Sequence, residues 1–320
     1  MKGKHKVIVY NNRLHYEFSI KRNITIIQGD SATGKTTLIN MLRQAETLGP
    51  SSGVIVSADV PCRVLEGSSW KLILENTSGC IFFIDEENTF INTEEFAGIV
   101  NGSDNYFVLI TRENLYNLPY SVDEIYGIKA SGKYHNTKRV YEQLYNIYVN
   151  LSQIPVTPKK IITEDSNSGY EFFSHVGRLH GIECESAGGK SNIIKKLKHS
   201  QDSEKACIIA DGAAIGPEMN RLSEYVKRNN DTMLYLPESF EWLILKSGLI
   251  GGNDIKEILQ SPESYIDSKE YLSWERYFTK LLTDKTAGTY LNYRKSELNK
   301  VYLHDNNAKA IMNEIKGIKL

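Results

Sequence analysis

Two periods of apolar residues alternate along this chain, and together they predict a mixed α/β protein. Lys6 to Tyr10 and Leu14 to Ile20 alternate apolar and polar positions on either side of Asn11-Asn12, which predicts a β-hairpin. Short β-branched or aromatic runs then recur at Asn23–Gln28, Gly53–Ser57, Cys80–Ile84, Tyr106–Ile110 and Glu124–Ile128. Their near-continuous apolar character suits strands buried on both faces of a parallel sheet. Helical spacing appears between them, at Thr36–Arg43 (Leu38, Ile39, Met41, Leu42) and at Trp70–Asn76. Val140 to Leu151 also reads as a helix, because Tyr141, Leu144, Ile147 and Leu151 fall three or four residues apart. The stretch Ile154-Pro155-Val156-Thr157-Pro158 breaks the pattern and predicts a domain boundary.

Beyond that boundary, strand-like runs at Lys159–Thr163, Gly181–Glu185, Ala206–Ala210 and Thr232–Leu236 alternate with helical ones at Ser168–Leu179, Ile193–His199 and Pro217–Arg228. Such alternation predicts a second parallel sheet with crossover helices. From Asn253 onward the pattern is helical, with Tyr271, Trp274, Tyr277, Phe278 and Leu281 in register, and later Ile311, Ile315 and Ile318. The expected fold class is therefore α/β, two parallel-sheet domains followed by a helical C-terminal region. The expected bounds are 1–153, 159–250 and 251–320.

Composition narrows this picture without redirecting it. At 320 residues, 41% hydrophobic and 24% charged, the chain has room for two cores. A net charge of −1 supplies no global field that draws in nucleic acid, leaving local basic grooves as the alternative. Cys62, Cys80, Cys184 and Cys207 lie far apart with no metal-type spacing, so they read as buried thiols of a reducing compartment. No run of about 18 apolar residues occurs, and Val7–Tyr10 is too short for a signal segment, so a cytoplasmic location without membrane contact is expected.

The chemistry centres on Gly29-Asp30-Ser31-Ala32-Thr33-Gly34-Lys35-Thr36-Thr37, which fits the phosphate-loop pattern G-x-x-x-x-G-K-[ST]. A strand before it and a helix after it supply the required context. Backbone N–H groups from Ser31 to Lys35 would cradle phosphates, Lys35 would reach the β- and γ-phosphates, and Thr36 would hold Mg²⁺. The apolar run ending in Asp85-Glu86 supplies a further metal ligand in Asp85 and, in Glu86, a base for the attacking water. Thr111 or Arg112, ending the next strand, would sense the γ-phosphate. An [NT]-K-x-D guanine motif does not follow the acidic strand, which favours ATP over GTP.

The hairpin, phosphate-loop strand and Asp85-Glu86 together resemble the ATPase heads of the ABC type, over roughly residues 5 to 130. The interval 57–79 departs from that family, since it holds no L-S-G-G-Q-like signature. In the second half, Glu164 after the first strand, a Gly188-Gly189 turn after the second and Asp211 after the third resemble a Toprim domain. In particular, this half resembles the Toprim-type domains paired with ATPases in phage-defence nucleases, the overcoming-lysogenisation-defect group and the PARIS systems. That resemblance implies a Mg²⁺ or Mn²⁺ site at Glu164 and Asp211, completed by Glu238 or Glu241. The family's D-x-D motif is here Asp211-Gly212-Ala213, without its second aspartate.

An ATP-regulated, metal-dependent nuclease or effector is the expectation that results, with an oligomeric assembly and a nucleic acid or protein partner. The alternatives are a non-cleaving ATPase switch and, last, a small-molecule or nucleotide kinase. Aromatics interleaved with Arg276, Lys280, Arg294, Lys295 and Lys300 read chiefly as core packing with a solvated basic face.

Overall fold

The computed structural model describes residues 1–29, 34–131, 138–148, 157–199, 205–229, 231–315 and 318. The chain divides into two compact units, Met1–Ile147 with Ser261–Leu272, and Tyr148–Gln260 with Ser273–Leu320. The segment expected to form a separate helical region is thus shared between them. Of the boundary predicted at Ile154–Pro158, residues 154–156 lie outside the described residues, and the units divide between Ile147 and Tyr148.

In the first unit, β1 (His5–Tyr10) and β2 (Leu14–Ile20) form the predicted antiparallel hairpin. Asn11 Oδ1 closes it by accepting from the backbone N–H groups of Arg13 and Leu14, both at 2.8 Å. β3 (Ile24–Ile27), β4 (Ile55–Ser57), β5 (Cys62–Val64), β6 (Ile81–Asp85), β7 (Tyr106–Ile110), β8 (Ile125–Ala130) and β9 (Val140–Asn146) complete one sheet, ordered β4-β1-β2-β9-β8-β3-β7-β6-β5. From β8 to β5 its neighbours are parallel, while β8 and β9 run antiparallel.

β9 stands where a helix is expected over Val140–Leu151, of which residues 149–151 lie outside the described residues. Seven residues satisfy a period of two as easily as one of 3.6, and here tertiary pairing decides. β9 joins the hairpin to the parallel sheet by pairing with β2 on one side and β8 on the other.

Helices α1 (Lys35–Leu48), α2 (Trp70–Glu75) and α3 (Glu94–Val100) belong to this unit. α1 turns Leu38, Ile39, Met41 and Leu42 into a core made by Val7, Val9, Tyr16, Phe18, Phe83 and Val108. Burying each such side chain contributes roughly 1.5–3 kcal/mol, so α1 and the strand ends beside it are firmly seated.

The second unit holds the predicted parallel sheet: β10 (Lys160–Thr163), β11 (Glu183–Ser186), β12 (Ala206–Ile209) and β13 (Thr232–Tyr235), ordered β11-β10-β12-β13. All its neighbouring strands are parallel. Helices α4 (Ser168–Leu179), α5 (Ile193–His199), α6 (Met219–Arg228), α7 (Phe240–Lys246), α8 (Asn253–Gln260), α9 (Trp274–Thr286) and α10 (Asp305–Met312) accompany it. Trp274, Phe278 and Leu282 of α9 are buried, so the aromatic stripe read from the sequence is packing. Among the described residues no helix is long and apolar enough to cross a membrane.

Candidate functional site

Strand register assembles the first site. Ile27 of β3 lies opposite Ile110 of β7, and Ile110 opposite Asp85 of β6, so three strand ends share one transverse line. The loops leaving these strands therefore emerge at the same edge of the sheet, where ligands bind in open α/β folds.

The loop after β3 leads into α1 through Gly34, whose φ is 88°. A side chain there would be strained by that backbone angle, and its Cβ would lie 3.0 Å from the Tyr16 hydroxyl. That hydroxyl donates to the Gly34 carbonyl at 3.0 Å, so β2 holds the start of the helix in place. Burial, and after it the Glu142 carboxylate, pushes the Tyr16 phenol up to about 12, keeping it a donor. α1 begins with no side-chain cap and no acid in its first turn. The positive end of the α1 dipole there favours an anion. Lys35 is buried and reaches back to donate to the Gly29 carbonyl at 2.6 Å. Asp30, Ser31, Ala32 and Thr33 lie outside the described residues.

A cavity of about 120 Å³ opens at this point, lined by Gly34, Lys35, Thr36 and Thr37 on one side and Asp85, Glu86 and Arg112 on the other. One Asp85 oxygen accepts from the Glu87 N–H at 2.8 Å, fixing its carboxylate. With the Thr36 hydroxyl it supplies hard oxygen donors, the set that suits Mg²⁺. Arg112 Nε lies 3.4 Å from Glu86 Oε1, both side chains about half exposed. Such a pair is worth at most about 1 kcal/mol, so a more highly charged anion can displace it. Of the two residues expected to sense the γ-phosphate, Thr111 turns its hydroxyl to its own loop, accepting from the Glu113 N–H at 3.0 Å. Arg112 is the one in the cavity. Glu87 and Ile110 line it as well and were not anticipated.

In the second unit, strand ends again gather acids. Glu164 Oε2 accepts from the Asp211 N–H at 3.1 Å, tying the end of β10 to the end of β12. Burial pushes the Glu164 carboxyl up to about 7, and burial with the Glu275, Glu241 and Glu164 carboxylates raises Asp211 well above the usual range. Glu241 is buried at the start of α7 and accepts from the Tyr293 hydroxyl at 2.7 Å, which also bonds Ser168 Oγ at 2.6 Å. Lys295 pairs with Glu275, and the Glu241, Glu275 and Asp211 charges raise its ammonium group against the opposing effect of burial.

The expected glycine turn is present. Gly188 and Gly189 have φ of 69° and 121°, and the Gly189 N–H donates to the Glu164 carbonyl at 2.7 Å. Gly212, at the middle of the incomplete D-x-D, is set by close packing: a Cβ there would lie 2.6 Å from the Leu236 carbonyl oxygen. Glu238 is half-buried, and its backbone carbonyl accepts from the Ala213 N–H at 3.3 Å. Glu164, Asp211 and Glu241 thus share one neighbourhood. Among the described residues, however, no group of three or more His, Cys, Asp or Glu side chains is arranged to hold a metal ion. Glu275, Tyr293 and Lys295 were missed as members of this cluster because they come from distant sequence. Their only signal in the chain is an ordinary E…Y-x-K in a helical region.

No protein-family model matches the chain, and no curated protein matches it.

Proposed function

We propose that the first unit binds and hydrolyses ATP with Mg²⁺. The observation that carries this reading is the convergence of the uncapped α1 start, Lys35 and Thr36 with Asp85, Glu86 and Arg112 around one cavity. In this reading the α1 N–H groups and Lys35 bind the phosphates, Thr36 and Asp85 hold the metal, and Glu86 takes the proton of the attacking water. Mg²⁺, when bound, neutralises charge building on the β- and γ-oxygens. Arg112 leaves Glu86 for the γ-phosphate, freeing the carboxylate as the base.

Calorimetry with ATP and Mg²⁺, paired with phosphate release, tests this. Wild type should bind and turn over, Lys35→Ala should lose binding, and Glu86→Gln should bind without turnover. A wild-type titration without heat would end the proposal.

The second unit, in the same reading, is an effector domain of Toprim type whose access or assembly responds to the ATP state, with phage defence as its setting. Two observations favour its non-cleaving form. Ala213 stands where the second aspartate of a D-x-D would contribute a ligand, and the Lys295 ammonium already pairs with Glu275 of the acid cluster. Incubation of wild type and Asp211→Ala with DNA and RNA, under Mg²⁺ or Mn²⁺ and with or without ATP, separates the forms. Cleavage lost in Asp211→Ala would establish the nuclease; ATP turnover without cleavage would establish the switch.

A further inference from the structure

The wing of the first sheet, antiparallel except where β2 meets β9, carries a feature that nucleotide hydrolysis does not use. Register sets Ile55 of β4 opposite Tyr10 of β1, Tyr10 opposite His15 of β2, and His15 opposite Tyr141 of β9. Their sequence neighbours Val9 and Tyr16 turn into the core beneath α1, so this row lies on the other face of the sheet. Tyr10 and His15 stack with centroids 5.6 Å apart, and His15 and Tyr141 lie 4.7 Å apart. Further along β9, Tyr145 spreads its ring over Gly127, where a Cβ would come within 2.5 Å of it, and remains 40% exposed.

Cations accompany the rings. The Arg139 guanidinium lies 5.3 Å from the Tyr10 ring centre, and the Lys129 ammonium 5.0 Å from that of Tyr145. The acid on this face, Glu17, is matched by Lys6 at 2.6 Å and lies 3.5 Å from His15. The solvent face of an antiparallel sheet is normally polar. Flat rings at strand spacing with cations against them are instead what stacks bases and neutralises phosphates. An aliphatic protein surface would leave these charges without a counterpart. A duplex keeps its bases stacked inside and offers the rings nothing.

We propose that the outer face of the β4-β1-β2-β9-β8 wing binds single-stranded nucleic acid, with Tyr10, His15, Tyr141 and Tyr145 as the stacking platform and Arg139 and Lys129 as phosphate contacts. The proposal does not depend on the ATP reading, since none of these residues lines the Lys35 cavity.

Fluorescence anisotropy of labelled single-stranded oligo(dT), oligo(U) and a blunt duplex, read across a KCl series, tests it. Single strands should bind more tightly than the duplex, and the two oligomers distinguish DNA from RNA. Tyr145→Ala, and Tyr10→Ala with Tyr141→Ala, should weaken binding about tenfold per ring, while the corresponding phenylalanine variants keep it. Arg139→Ala should lower the salt slope by about one. Circular dichroism melts confirm that each variant is folded, and the half-exposed Tyr145 keeps the test decisive if the double variant is not. No binding at low salt, equal affinity for duplex, or alanine variants that bind as wild type would each overturn the proposal.

Discussion

At the residue scale, a few groups have roles that their neighbours determine. Gly34 at φ 88° is needed for both its backbone angle and the Tyr16 contact. Gly34→Ala therefore costs about 1–2 kcal/mol in backbone strain alone and should weaken ATP binding about tenfold or more. Tyr16→Phe removes one hydrogen bond worth roughly 0.5–1.5 kcal/mol and should weaken it a few-fold. Calorimetric affinities that match wild type in both variants would refute this account of the helix start. The glycine and lysine were legible from sequence spacing; Tyr16, eighteen residues upstream, was not, because its contact exists only once β2 packs beside α1. Two carboxylates give the second unit opposite pH dependences. Glu164, raised to about 7, keeps a proton in the folded state that the unfolded chain gives up near 4.5. Its contribution is complete below about 4.5 and is lost as pH rises toward 7, and Asp211 acts in the same direction. Glu185, held down to about 2 by hydrogen bonds from Lys160 and Lys196, contributes above about 4.5 and is lost as pH falls toward 2. In urea titrations with EDTA, Glu164→Gln should flatten the decline in stability between about pH 4.5 and 7. Glu185→Gln should cost roughly 1–2 kcal/mol at pH 7, because buried Lys160 loses its 2.9 Å partner.

At the element scale, most strands announced themselves and their neighbours did not. Runs such as Ile81–Ile84 and Ala206–Ile209 are apolar throughout and could hardly be anything but buried strands. β9 was missed because Tyr141, Leu144 and Ile147 satisfy helical spacing, while the strand alternates Tyr141, Gln143 and Tyr145 on its outer face. Pairing with both β2 and β8 rewards the strand, and that reward is invisible to a window of seven residues. The same limit hid the contact between the ends of β12 and β13. Gly212 donates to the Pro237 carbonyl at 2.5 Å, and its missing Cβ is what lets the two segments meet. Gly212→Ala should push these loops apart and destabilise the second unit by about 1–3 kcal/mol, seen as a lowered melting temperature. Restoring the D-x-D pattern with Ala213→Asp separates packing from chemistry. Ala213 is also buried, so the aspartate variant should be destabilised for want of a partner.

At the scale of the whole chain, the order of the sequence and the order of the fold diverge after Gln260. The pattern there reads as one helical region, yet Ser261–Leu272 joins the first unit and Ser273–Leu320 the second. The first join is backbone and amide chemistry that no hydrophobic period reports. Gly3 N–H donates to the Glu263 carbonyl at 2.7 Å, and Asn23 Nδ2 donates to the carbonyls of Ser268 at 3.0 Å and Tyr271 at 3.3 Å. Ser268 Oγ donates to the Ser103 carbonyl at 3.1 Å. Asn23 and Ser268 are buried, so their polar groups have no water to replace these bonds. The second join supplies Tyr293, Lys295 and Glu275 to the acid cluster around Asp211. A chain ending at residue 250 would therefore damage both units at once. Buried Asn23, immediately before β3, would be orphaned at a cost of about 1–3 kcal/mol, and Glu241 would lose its hydroxyl donor while Asp211 lost its compensating ammonium. Limited proteolysis should cut the described parts of both units faster in such a chain than in the full chain. If the shortened first unit stayed as resistant as in the full chain, Ser261–Leu272 would be an appendage of that unit and not a structural part of it.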